Sequence, residues 1–141
     1  MIGITVLCAG TLKESYLRDA VAEYSKRLGG FCRLRTVELK DKAPMLPYIN
    51  RSAYNIALCV EGGELSSPQL AQLIDSAATR GKSEICFVIG ESDGLPEEVK
   101  AACDVRLSFS KMTFPHQLMR VILLEQVYRA FTIINGGKYH K

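Results

Sequence analysis

The chain has 141 residues, a formal net charge of +3, 48% hydrophobic and 23% charged residues, values that suit one folded domain with a real core and exclude an intrinsically disordered chain. The mild basic balance allows a nucleic-acid partner without requiring one. No apolar run approaches the roughly 18 residues of a membrane span, and the opening MIGITVLCAG carries no basic leader, so a cytoplasmic protein is expected.

In chain order, the apolar run Ile2–Cys8 reads as a buried strand ending near Gly10. Tyr16, Leu17, Ala20, Val21, Tyr24 and Leu28 then recur at helical spacing, and Gly29-Gly30 stops that helix. Phe31–Leu39 alternates apolar with polar residues, as a half-exposed strand does. In 40–53, Pro44 and Pro47 leave room for a short helix only. Tyr54–Val60 is a strand followed by a loop, EGGELSS. Ser67 and Pro68 supply the N-cap and first residue of a helix that Gly81 ends. Glu84–Gly90 is a strand leading into a glycine-bearing loop, GESDG, then come a short helix from Pro96, a strand over Val105–Phe109 and a last helix over Gln117–Ile134. This alternation predicts an α/β domain spanning 1–141, a mostly parallel sheet flanked by helices, with ligands at the carboxyl ends of the strands. The loops to watch are therefore EGGE, GESDG and SFSKMTF.

Several familiar sites are missing. The turn after the first strand, LCAGTLKES, has one glycine where a dinucleotide fingerprint needs three. Gly81-Lys82-Ser83 follows a helix instead of preceding one, so it is a helix stop and not a phosphate loop. Neither G-x-S-x-G nor a serine triad is present. The five cysteines are odd in number, widely spaced and without a C-x-x-C pair, and only two histidines accompany them; this argues against a metal site and for free thiols in a reducing compartment. In IGESDG, Gly90 and Gly94 make either a plain strand-to-helix turn or a close main-chain approach to a ligand.

The last helix asks for more cover than one sheet gives. Twelve of the eighteen residues from Gln117 to Ile134 are apolar, far more than a single stripe. Either a second copy of the chain covers the excess, making a homodimer, or the helix is central within one subunit. Glu125 and Arg129 form an i,i+4 pair. Arg120 has no acidic partner three or four residues away, which leaves a functional role or plain surface placement. His116, in the first turn, either orients a substrate or caps the helix. The closing GGKYHK frees the chain at its glycines and presents two cations, a stacking ring and an imidazole, a set suited to RNA, although chain ends are also commonly disordered.

The segments FVIG-x-x-x-GL, LSFSKMTFPHQLMRVILLEQVYRAFTIINGG and YHK closely resemble the ribosomal RNA large subunit methyltransferase H family of bacteria, minimal SPOUT-class enzymes; the likeness is dense from about Tyr54 to Lys141, and LCAGTLKESYLRDAVAEYSKRL resembles the family's opening. The resemblance implies a C-terminal deep trefoil knot in about 54–141, which holds S-adenosylmethionine, and a homodimer with the donor sites beside the interface. It implies N3-methylation of a pseudouridine in 23S ribosomal RNA on assembled ribosomes. Carried over by position, the donor pocket involves Leu58, Gly90, Phe109, Ser110, Lys111, Met112, Thr113 and Phe114. Tyr139, His140 and Lys141 match the tail that reaches the RNA and the reacting base, and Arg120 matches a family arginine placed with them in substrate positioning. Three departures stand out: Glu91 where a second glycine is usual, a shortened 40–53 segment, and Lys138 before the YH pair. A non-catalytic RNA- or ribosome-binding dimer and an unrelated flavodoxin-like domain are the competing readings.

Overall fold

All seven residues of the first strand, β1 (Gly3–Ala9), are buried, because it lies inside a sheet covered on both faces. The computed structural model describes residues 1–141. After β1 come α1 (Ser15–Leu28), β2 (Arg33–Leu39), a 3-10 turn at Leu46–Tyr48, β3 (Tyr54–Glu64), α2 (Ser67–Thr79), β4 (Glu84–Ile89), α3 (Glu97–Ala102), β5 (Val105–Ser108) and α4 (His116–Ile134). The strands pair in the order β2-β1-β4-β3-β5, every pair parallel. The expected α/β architecture is therefore present. No helix is long and apolar enough to cross a membrane.

Alternation along the strands divides the interior in two. Ile4, Val6, Cys8, Ile56, Ile85, Phe87 and Ile89 join a cluster with Leu70, Ile74, Leu123, Val127 and Phe131 on the face carrying α1, α2 and α4. On the other face Leu7, Ala57, Cys86 and Val88 meet Leu39, Met45, Ile49, Leu95 and Val99. That second layer is thin, since only the end of β2, the 40–53 crossover, Leu95 and α3 supply it. The crossover makes one 3-10 turn at its Pro-bearing stretch, as its prolines dictate.

Helix α4 packs against both α1 and α2 and buries Leu123, Leu124, Val127, Ala130 and Phe131. One subunit thus covers much of what the sequence left unassigned. The opposite stripe keeps Leu118 exposed and Val121 and Ile122 half-buried.

Three boundaries move for physical reasons. Strand β2 starts at Arg33 because the amides of Phe31 and Cys32 donate to Leu28 O, satisfying the end of α1. The cap of α2 is Ser66, not Ser67: its side chain accepts from Gln69 N, and Gln69 Oε1 accepts from Ser66 N, a reciprocal capping box. Most consequential, β3 does not end at Val60. Residues 59–62 bow out, and Gly63 and Glu64 pair with Leu107 and Ser108 of β5. The bow lies on β5 main chain: a Cβ on Gly62 would stand 2.7 Å from the Leu107 N and the Arg106 and Leu107 carbonyl carbons. Lys100 of α3 fastens it through an ion pair with Glu61.

Phe87 is fully buried at the centre of the larger layer. Phe87→Ala should cost about 3–5 kcal/mol of unfolding free energy, read from urea denaturation.

Candidate functional site

Strands β3, β4 and β5 end side by side, and their loops carry most of the predicted ligand residues. Gly90, buried, closes β4. The chain turns at once, with Gly94 N donating to Glu91 O at 2.8 Å and Gly94 at φ +89°. A Cβ on Gly90 would lie 2.7 Å from Gly94 C and O and 2.9 Å from Leu95 N, so only glycine fits there. After β5, Ser108 Oγ donates to Ser110 O at 2.8 Å and Met112 N donates to Ser110 Oγ at 3.0 Å, which holds the 108–112 turn in shape.

Leu58, Phe109, Ser110, Met112 and Phe114 come together around a small cavity of about 40 Å³. On the other side of Phe109 and Phe114 lies an apolar cavity of about 320 Å³, closed by Leu65, Leu70, Leu107 and Ile122 and edged by Ser66, Ser67 and Gln126. Gly90, Lys111 and Thr113 line neither space; Lys111 and Thr113 are exposed.

The tail does not swing free, contrary to the expectation from its two glycines. Gly136 takes φ +72° and donates to Ile133 O at 3.1 Å, and Gly137 donates to Thr132 O at 2.7 Å. These bonds finish α4 and reverse the chain onto it. Tyr139 Oη then donates to Glu125 Oε2 at 2.9 Å, and its ring meets Tyr128 edge-on at 4.9 Å. The Arg129 guanidinium stands 4.7 Å above that ring, lies 3.1 Å from His140 Nδ1 and pairs with Glu125 at 3.0 Å. Burial, then the Glu125 hydrogen bond, pushes the Tyr139 hydroxyl above its ordinary value. Lys141 is exposed. Glu125 and Arg129 form their expected i,i+4 pair but also hold the tail, a role their spacing alone did not reveal. The signal was the double glycine, which commonly reverses a chain after a helix.

Arg120 is placed differently from its expected association with the tail. It is 3% exposed; it donates to Glu38 Oε2 at 2.5 Å, to Ala9 O at 3.1 Å and to Gly10 O at 2.6 Å. Its acidic partner lies on β2, 82 positions away in sequence, beyond any helix-spacing rule. Arg120 thus anchors the turn after β1. His116 provides no cap: it is the first residue of α4, the N-cap is Pro115, and no side chain makes a cap bond there.

Burial pushes the free thiols of Cys8 and Cys32 up to about 11 and that of Cys86 up to about 12, which leaves them protonated, inert core residues at neutral pH. No cluster of three His, Cys, Asp or Glu side chains has the disposition of a metal site.

The all-parallel α/β sheet, order β2-β1-β4-β3-β5, has counterparts among solved structures. A "probable methylase family protein" from Haemophilus influenzae superimposes with a TM-score of 0.64 over 98% of this chain and 70% of its own, at 14% identity, a likeness of fold. The family model described as Predicted SPOUT methyltransferase matches residues 2–140. Proteins named Ribosomal RNA large subunit methyltransferase H are similar along their whole length: that of Bacillus pumilus is 46% identical over 99% of this chain and 100% of its own, and that of Clostridium novyi 48% identical with the same coverage. The chain belongs to the SPOUT methyltransferase family, and it is a methyltransferase.

Two outcomes follow from this geometry. Arg120→Ala should destabilise the fold by about 1–3 kcal/mol, because two carbonyls and Glu38 lose their donor, and Arg120→Lys should recover only part, having no fork; denaturant unfolding measures both. Since the folded pKa of Tyr139 is raised, its contribution to tail docking is present below the free-tyrosine value and is lost as pH rises through the folded value. Absorbance titration of tyrosinate should show this group titrating at lower pH in Glu125→Gln.

Proposed function

We propose that the chain transfers the methyl group of S-adenosylmethionine to N3 of a pseudouridine in 23S ribosomal RNA, acting as a cytoplasmic homodimer on assembled large subunits. The observation that carries this reading is the end-to-end similarity, at 42–48% identity, to proteins named for methylation of large-subunit ribosomal RNA. The nucleotide, the atom and the deep trefoil knot come from the resemblance of residues 54–141.

The strand-end loops suit this donor. The cavities of about 320 and 40 Å³, on either side of Phe109 and Phe114, together reach the size range of cofactor sites. Apolar walls from Leu58, Phe109, Met112 and Phe114 would take an adenine, and main chain near Gly90 and Ser110 to Phe114, with Lys111 and Thr113 at the mouth, would supply polar contacts. The sulfonium, when bound, provides an electrophilic methyl group. What the protein adds is alignment: N3 gives its proton to solvent and its N–C bond forms as the S–C bond to the methyl breaks and the thioether leaves, a displacement that gains much of its rate from holding the nitrogen in line. The tail cluster of Tyr139, His140, Glu125 and Arg129 is already fixed on α4, and Lys141 stands outside it for a phosphate; these residues would set the base against the donor. The apolar stripe of Leu118, Val121 and Ile122 runs on the same outward side of α4 as Glu125 and Arg129, which supports dimerisation through this face.

The direct test is mass spectrometry of 23S ribosomal RNA from cells with and without the gene: one methylated pseudouridine should disappear with it, and an unchanged spectrum refutes the reading. Deleting Tyr139–Lys141 should leave S-adenosylmethionine binding intact by calorimetry while lowering methylation of ribosomes by about 100-fold or more. Gly90→Leu should abolish donor binding, because its side chain has no room beside Gly94.

A further inference from the structure

A cavity of about 480 Å³ opens where β1, β2 and β4 end, on the β1 side of the loop after β4 and lined by none of the tail residues. Its walls are Gly10, Thr11 and Lys13 after β1, Glu38 to Lys42 at the end of β2, Glu91 and Ser92 after β4, and His116 and Gln117 of α4; Leu39 is its one hydrophobic residue. So polar a lining suits a polar ligand. The crevice is in the size range of a small-molecule site.

The wall carrying Lys13 is fixed to a degree unusual for a surface turn. Arg120 holds Ala9 O and Gly10 O from beneath, Arg18 Nη1 donates to Leu12 O at 3.1 Å and Lys13 O at 2.9 Å, and Lys13 N donates to Gln117 Oε1 at 3.1 Å. Three side chains from two helices hold four of the five carbonyls from Ala9 to Lys13 and one amide. The opposite wall is tied to the donor side, since Lys42 N donates to Glu91 Oε1 at 3.2 Å, one residue beyond Gly90. Lys42 is also the only non-glycine residue with left-handed backbone, at φ +63°. Such strain is retained where neighbouring structure enforces it, often at functional sites.

The charges are mixed and specific. Lys13, Lys40 and Lys42 face the crevice with no ion-pair partner of their own within 4 Å, whereas Glu38 is neutralised by Arg120. Asp41, Glu91, Ser92, Gln117 and His116 add hydrogen-bonding groups around the cations. Cations beside acceptors match a nucleotide, which combines a phosphate with ribose hydroxyls and base N–H groups.

We infer that this crevice receives a nucleotide of the RNA chain next to the methylated base, with Lys13, Lys40 and Lys42 on its phosphate and Asp41 and Glu91 within reach of its ribose and base. The inference rests on the RNA substrate proposed above. Its place beside Gly90, on the β1 side of the donor loop, would let one RNA strand be gripped while its neighbouring base turns towards the donor.

The test compares wild type with Lys13→Ala/Lys42→Ala, substitutions that remove side chains making no hydrogen bond inside the subunit, on ribosomes from cells lacking the gene and on a short single-stranded RNA. Affinity should fall by about 10- to 100-fold at low salt, and the slope of log affinity against log salt should drop by about 1.4, the value for two lost phosphate contacts on a single strand. Calorimetry with S-adenosylmethionine should give the wild-type Kd in the same variant, which reports an intact fold. An unchanged salt slope with RNA still bound overturns the inference and leaves the methyltransferase reading standing. Full competition by uridine monophosphate at the RNA's own affinity also overturns it, by making the crevice a free-nucleotide site. Wild-type protein that binds donor but neither RNA nor ribosomes removes the proposed substrate, and the inference falls with it.

Discussion

Main chain lying directly on main chain governs this structure. A single added methyl would stand 2.7 Å from the backbone of its own loop at Gly90 and 2.7 Å from the backbone of β5 at Gly62. At Gly90 this lets the loop after β4 fold back on itself without a side chain between. At Gly62 it lets the bow of β3 lie across β5 and rejoin it at Gly63. The two contacts bring three strand ends and their loops into one compact region, so walls from Leu58, Phe109 and Phe114 can face one another. Apolar side chains supply the stability of the sheet, and absent side chains supply its shape at the site.

The two faces of the sheet share the work unequally. Three helices and nineteen buried residues make one layer, while nine buried residues, a crossover with a single 3-10 turn and the six-residue α3 make the other. The alignments to the H-type relatives run to 159 positions where this chain has 141 residues, so those relatives carry positions that have no counterpart here. The thin cover on that face leaves the loops after β3, β4 and β5 in place, because these strands hold their register through main-chain pairing. Lys42, near the start of the crossover, is tied to the loop after β4 through Glu91. The thinner side of the molecule is thereby coupled to the strand ends.

Much of this was legible in the residues. Strand-helix alternation gave the five strands and the parallel sheet, Gly29 and Gly81 marked helix ends, and the strand-end rule singled out GESDG and SFSKMTF, which the fold sets at the ends of β4 and β5. Local pattern could not show Arg120 pairing with Glu38, because a helix-spacing search sees only four residues in either direction and the partner comes from the sheet's edge strand. It likewise read EGGELSS as a loop, since nothing local distinguishes a loop from a strand that bows out and returns. The tail was misread for a related reason: glycine pairs permit both release and reversal, and the choice fell to Glu125, Tyr128 and Arg129, which offer the returning chain a carboxylate, a ring edge and a cation.

The account stands on the donor occupying the loops after β3, β4 and β5. Amide hydrogen exchange, followed by mass spectrometry with and without saturating S-adenosylmethionine, tests this most directly. Slowed exchange concentrated in residues 58–64, 90–95 and 108–114 is the predicted result; protection absent from those loops and found around Gly10 and Lys40 to Lys42 would contradict it.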